Sequence, residues 1–564
     1  MTSSGDYVIL FSLSGNLGEM MGRKGRGFLK KVRWLIWGMG SFPCLAQTKE
    51  SGVPPPIQIA FSEDPSSLDP AHASDAWSQF WIGHLMEGLI TRNSQGELVP
   101  AGAHQIVPNS SGTKVLFRLR PEALWDDGEK VTAISYVNAF RRLVDPQVGS
   151  PNSFLVELIK LKNATLVKEG KLPPDSLGVK ALSDSELELE LESPIPYLHS
   201  ILSLPAFVPV RLEELQKKDK AFGPEGFKVN GAFKLNPGGW KRSVSLKLDK
   251  NQKYHLQDRV KIGGVHASIV TSDKMSQYHL FLSKQLDYYT ITKSIFKALQ
   301  NQTSKMHCRP NGNVRYMALN QRKDRFFSDV ERRKQLAMGF PTGEFVQKIT
   351  GLPGDKVAQG LVPGVIQLPK PLNKSYRTLF PMEPFPAKPL LQSNRSDLPK
   401  DKSSTVTLEM ITGASEMAIE AGEYVIQAIE KKLGWKVRLT SLPLKTFYAR
   451  AKEGNFDLYI DTWVPDFEDP LTYLEIFKSG SPNNKGQFSH SVYDLLLDQS
   501  FGVSEVEKRS ELLYKAEKIL VQEMVGVLPL VHNSSCSLIR PELKGVQFPP
   551  TGVSPDFRFS HWNH

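Results

Sequence analysis

The sequence predicts an α/β protein of more than one domain, and three observations carry that prediction. At 564 residues the chain exceeds the size at which a single hydrophobic core stops growing. Beyond about residue 50, short strand and helix patterns recur without an internal repeat. Residues 405–460 read strand, helix, strand, helix, strand, an order that implies a parallel sheet with right-handed crossovers.

In chain order, IQIAF (57–61) reads as a strand and the segment around FWIGHLMEGLI (80–90) as a helix. KVLFRLR (114–120) sets Val115, Phe117 and Leu119 on one face, as in a half-buried strand. Asp127-Gly128 is a turn signal, and Thr132 starts a helix through VTAISYVNAFRRL. ELELELE (186–192) alternates as a further strand, and the Pro-, Lys- and Ser-rich stretch 364–404 reads as a long loop or broken helix. TVTLEMI (405–411) is a strand. Ser415 then caps a helix whose Ala421, Val425, Ile429 and Leu433 recur every fourth residue, and Gly434 ends it. KVRLTSL (436–442), a short helix through KTFYARAKEG and FDLYI (456–460) complete the unit.

The 40% apolar and 23% charged content is that of a soluble globular protein. The first residues differ. Arg23, Lys24, Arg26, Lys30, Lys31 and Arg33 precede an apolar run from Trp34 to Ala46, the pattern of a secretory signal cleaved before Gln47. That run is shorter than the ~20 apolar residues that span a bilayer. Ser41-Phe42-Pro43 is a poor lead into a lipidated Cys44. Removing residues 1–46 takes six of 70 basic and two of 59 acidic side chains, leaving 64 against 57, a net +7. This excess is diffuse, with no basic stripe interleaved with aromatics, so nucleic-acid binding is not expected. Neither CxxC, HExxH nor an EF-hand pattern occurs, so no metal or cofactor is expected. Cys308 and Cys536 remain as a possible pair in an exported chain.

DTWVPDFEDP (461–470) concentrates four carboxylates and a tryptophan just past the third strand of the parallel unit, at the edge where open α/β sheets bind ligands. Four readings are open at this point. A solvated turn explains the Pro and Asp content. A Ca²⁺ loop lacks the expected Gly. Paired catalytic carboxylates lack an identifiable nucleophile. A cation socket suits a carboxylate beside an indole.

A resemblance narrows these readings. SLDP (67–70), MEGLI (86–90), FRLRPEALWDDGEKVTAISYVNAFRRLVDP (117–146), NGAFKL (230–235), VRYMALNQRKDRFFSDVERRKQLAMGF (314–340) and DTWVPDFEDPLTYLEIF (461–477) occur in the order seen in periplasmic oligopeptide-binding proteins. The chain thus resembles extracytoplasmic solute-binding family five of the ABC importers over nearly its whole length after residue 56. The resemblance implies an α/β, two-lobed periplasmic-binding-protein fold with an extra subdomain and a hinge of crossing strands. The segments divide accordingly: 1–46 as a removed signal region, 47–86, 206–298 and 495–564 as lobe one, 87–205 as the extra subdomain, and 299–494 as lobe two. It further implies a monomer that captures a short peptide in the periplasm, works with membrane permease subunits, and uses no cofactor.

In the family, an aspartate three residues after a tryptophan receives the peptide ammonium, and Trp463-Val464-Pro465-Asp466 matches that pattern. The resemblance implies main-chain pairing to the peptide from Thr462 to Pro465 in one lobe and from Ser74, Asp75 and Ala76 in the other. Tyr316, Asn230 and Asn484 match cleft positions, whereas Trp125, Asp127, Gly128 and Phe140 read as framework. Departures are plain. Pro341 interrupts an expected helix, AKPLLQSN (387–394) carries Pro389 against another, and Val464 replaces a cysteine. Ile460 stands where an arginine can meet the peptide carboxylate, so whether the ligand needs a free carboxylate is open. The rival readings are another cationic solute (a dipeptide, metal chelate or opine), a secreted hydrolase using the carboxylates of 461–470, and a holder of unfolded chains.

Overall fold

The computed structural model describes residues 54–217, 221–270, 273–299, 306–369, 372–382 and 407–563. The expected signal region, Cys44, the AKPLLQSN segment and His564 lie outside the described residues.

Two lobes rest on separate sheets. In the first, Ile57–Phe61 runs parallel to Gly264–Ile269, which pairs antiparallel with Ser245–Lys250 and through it with Phe233–Leu235. A separate antiparallel sheet orders Ala103–Pro108, Lys114–Leu119, Glu186–Glu190 and Val179–Ser183 side by side. Val115, Phe117, Leu119, Leu187 and Leu189 face its buried side, as their alternation requires. The helix Ala133–Val144 packs there through Tyr136, Val137, Phe140 and Leu143.

The other lobe contains the predicted parallel unit. Thr407–Gly413 lies between Lys436–Leu442 and Leu458–Trp463, parallel to both. Ser415 Oγ accepts the Ala418 N–H at 3.3 Å to start the helix Glu416–Leu433, and Gly434 ends it at φ 73°. Ala421, Val425 and Ile429 are buried. The third strand runs to Trp463, so Asp461 to Trp463 belong to the strand rather than to the loop after it.

Two long strands join this unit to the rest of the molecule. Met306–Leu319 pairs antiparallel with Val527–Ile539 along most of its length, with Leu458–Trp463 flanking one end and Tyr288–Ile291 the other. Their register breaks between Pro310 and Val314, where Gly312 takes φ 79°. A β-bulge bends the strand that carries it, which suits a hinge. Cys308 and Cys536 face each other beside this break and form a disulfide.

One sequence expectation needs correction. The helix near 80–90 spans Ala76–Leu85 instead, and Ile90–Arg92 is already a strand. The helix stops because the Glu87 N–H goes to Asn230 Oδ1 (3.1 Å) while Gly231 N–H goes to the Leu85 carbonyl (2.9 Å). Apolar periodicity carries no trace of these distant partners. Pro341 acts as expected: the helix Val330–Gly339 ends before it and a separate turn, Thr342–Phe345, follows.

Candidate functional site

The loop after Trp463 is held from several sides, and its four acids differ accordingly. Asp469 is 1% exposed and takes a two-pronged ion pair from Arg509, at 2.7 and 2.9 Å. It also accepts the Leu471 N–H at 2.9 Å. Glu468 meets Arg92 at 2.6 Å, and its N–H reaches Ser200 Oγ at 2.8 Å. Asp461 caps its own strand by accepting the Thr462 N–H at 2.9 Å; burial raises its pKa against the pull of Thr462, Lys485 and Tyr448.

Asp466 is the exception. Its N–H donates to Thr472 Oγ1 at 3.2 Å, which fixes the main chain, but among the described residues its carboxylate has no hydrogen bond and no cation. Burial alone pushes its pKa up to about 6. A mostly desolvated carboxylate without a partner is a standing cost to the fold and a receptor for an incoming cation.

The surrounding wall is rigid and aromatic. The Tyr473 hydroxyl donates to the Gly312 carbonyl at 2.8 Å, and Phe467 stacks on Tyr197 with centroids 4.9 Å apart. A side chain at Gly312 would come within 3.0 Å of Pro465 Cγ, so the hinge break and the site loop are in direct contact. Trp463 is half-buried and, among the described residues, its indole N–H has no partner.

Thr462 to Trp463 also present an open sheet edge. On one side Asp461, Thr462 and Trp463 pair with Tyr316, Arg315 and Val314. On the other side, pairing with Thr407–Gly413 stops at Ile411 opposite Tyr459. Such an edge can accept an extended chain as an added strand. Val464 beyond it is 60% exposed.

The remaining sequence-derived residues take varied places. Ser74 and Ala76 are exposed, and Asp75 caps the helix Ala76–Leu85 through the Ser78 N–H at 2.8 Å. The Asp75 carboxylate is further engaged by the Ser66 and Ser78 hydroxyls, so its side chain has a structural role. Tyr316 is 4% exposed and packs edge-on against Phe477. The Asn230 amide makes both of its hydrogen bonds with the Glu87 main chain. The Asn484 amide ties together Phe477, Lys478 and Phe488. The geometry of both asparagines is that of loop staples rather than of free cleft walls.

Sequence reasoning missed Arg92, Ser200, Arg509, Tyr473 and Gly312. Only Gly312 had a legible signal, because Pro310-Asn311-Gly312-Asn313 is a turn pattern inside a strand. Among the described residues, no group of three or more His, Cys, Asp or Glu is placed to hold a metal ion. No described helix is long and apolar enough to cross a membrane.

Two lobes, a hinge of paired strands and an unpartnered acid beside an open edge define a solute-binding protein of the type that closes over its ligand. Comparison with known proteins agrees. Residues 97–485 match the family described as bacterial extracellular solute-binding proteins, family 5 middle, and the chain belongs to that family. It is 28% identical to a dipeptide-binding protein of Bacillus subtilis over 503 residues, covering 88% of this chain and 90% of that one. It is 25% identical over 531 residues to the probable deoxycholate-binding periplasmic protein of Escherichia coli, covering 92% and 96%. The oligopeptide-binding protein of Listeria monocytogenes, solved with bound peptide, superposes with a TM-score of 0.71 at 25% identity, covering 91% and 100%.

Proposed function

We propose that this protein captures short peptides outside the cytoplasm and delivers them to an ABC permease. The observation that carries the reading is the unpartnered Asp466 carboxylate next to the open strand edge of Asp461–Trp463. An extended peptide pairing with that edge brings its α-ammonium to Asp466 while Trp463 supplies an aromatic wall. Ser74 to Ala76 serve from the other lobe, and Tyr316 backs the site from the neighbouring strand. Binding favours the closed arrangement because only that arrangement completes contacts from both lobes. No covalent chemistry belongs to this reading. The likeness to a dipeptide-binding protein and to a peptide-loaded oligopeptide-binding protein supports it. A cleaved N-terminal signal, a monomeric state and domain limits near residues 86, 205, 298 and 494 belong to the same proposal.

Deoxycholate, the solute in the name of one relative, is an anion without an ammonium group, and an unpaired Asp466 carboxylate would repel it. Native mass spectrometry of ligands carried through purification tests the reading. A set of short peptides is expected, and a single non-peptide compound would overturn the substrate class.

A further inference from the structure

Arg315 is half-buried and, among the described residues, its guanidinium meets neither a carboxylate nor a carbonyl. Arg92, Arg142, Arg377, Arg509 and Arg558 each meet a carboxylate. Arg333, which does not, gives its guanidinium to the carbonyls of Phe327, Ser328 and Met524. Among the described residues the Arg315 guanidinium has only Thr462 Oγ1 at 3.4 Å and the Met417 sulfur at 3.7 Å. The acid whose charge acts on it is Asp355, whose Oδ1 already accepts the Ser534 N–H (2.7 Å) and hydroxyl (2.9 Å). Five fixed N–H donors on a half-buried side chain with two weak contacts form an unfilled fork.

The direction of this side chain ties it to the ligand edge. Arg315 pairs directly with Thr462, and strands lie about 4.8 Å apart. Val314, Tyr316 and Ala318 point into one hydrophobic cluster while Met317 and Leu319 point into the other, so Arg315 lies on the second face. There it crosses over Thr462, and its terminal nitrogen reaches Met417 in the first turn of the helix Glu416–Leu433. That helix follows Thr407–Gly413, the strand whose pairing stops short of Asp461. The guanidinium therefore extends from the paired side of Leu458–Trp463 toward its open side. Asp466 lies four residues beyond Thr462, a main-chain span of at most ~14 Å, which is the length of a peptide of about two to four residues.

We propose that Arg315 receives a carboxylate of the bound ligand, so that the site selects short peptides carrying an ammonium and a carboxylate together. This rests on the peptide reading of the site and adds its second charge. Guanidinium and carboxylate pair through two parallel N–H donors, and neither an amide nor an ester reproduces that pairing. The carboxylate comes from the peptide C-terminus or from an acidic side chain, and the test separates these sources.

Isothermal titration of the full-length protein against paired synthetic tripeptides decides the matter. One pair, with neutral side chains, differs only in a free or amidated C-terminus. The other pair is amidated and differs only in Glu or Gln at the last residue. Wild type is expected to favour the acid by about tenfold or more in at least one pair, and Arg315→Met to reduce that preference below about twofold. Arg315→Lys, which keeps the charge without the fork, is expected to fall between them. Equal affinity within both pairs, or a preference that survives in Arg315→Met, would overturn the proposal while leaving peptide capture intact. Failure of every free-amine peptide to bind wild type would instead overturn peptide capture and this proposal with it. If Arg315→Met does not fold, the wild-type pairs and Arg315→Lys still decide.

Discussion

Asp466→Asn is expected to make the ligand-free protein more stable at about pH 7 while abolishing stabilisation by ligand. The folded-state pKa of Asp466 is about 6, above the ordinary 3.8, because burial disfavours the ion and nothing compensates. A raised carboxylate pKa means that the associated stability is fully present below about pH 4 and is lost as the pH rises through about 6. Above that, the buried ion costs on the order of 1–3 kcal/mol, which the neutral amide avoids. Thermal melts of both proteins at about pH 4 and pH 7 check this: the variant should melt higher at the upper pH and equally at the lower. Ligand affinity runs the other way. An arriving ammonium favours the ion, so wild-type affinity should be greatest near pH 7 and should already be about halved at pH 6, as Asp466 takes a proton. A variant destabilised when ligand-free would show that the carboxylate is a structural acid.

Three residues along, Asp469→Ala should have the opposite effect on ligand-free stability. Arg509 is 3% exposed at its side chain and donates both terminal nitrogens to Asp469, with its Nε on the Ser500 carbonyl at 3.2 Å. Its guanidinium also lies over the Tyr197 ring, 5.5 Å from the centroid. Removing the carboxylate leaves a buried cation unpaired and the Leu471 N–H without its acceptor, a loss of about 3–5 kcal/mol. Urea unfolding should show the midpoint falling without a change in slope. A change below ~1 kcal/mol would mean that water reaches Arg509. Stabilisation by one substitution and destabilisation by the other is a sharper result than either alone.

Local pattern explains how much of the fold was legible. The strands 57–61, 114–119 and 436–442 and the helix Glu416–Leu433 followed from apolar spacing, a serine cap and a terminating glycine. The hinge did not. Met306–Leu319 and Val527–Ile539 pair across more than 200 residues, and Cys308 with Cys536 over 228, a juxtaposition no local pattern contains. The site divides in the same way. The cluster 461–470 stood out by composition, and the family pattern pointed to Asp466. Which acids are neutralised depends on Arg92 and Arg509, hundreds and tens of residues away. Arg315 had no sequence signal, since its role depends on the register that sets it opposite Thr462.

The central claim is that Asp466 receives a peptide ammonium. Titration of wild type at about pH 7 with one tripeptide, as the free amine and as its N-acetyl derivative, tests it most directly. The two differ only in the charge that Asp466 would meet, and acetylation leaves the desolvated carboxylate unpaired. The account predicts loss of at least about 100-fold in affinity on acetylation, and no such difference in Asp466→Asn. Equal binding of the two forms by wild type would contradict it.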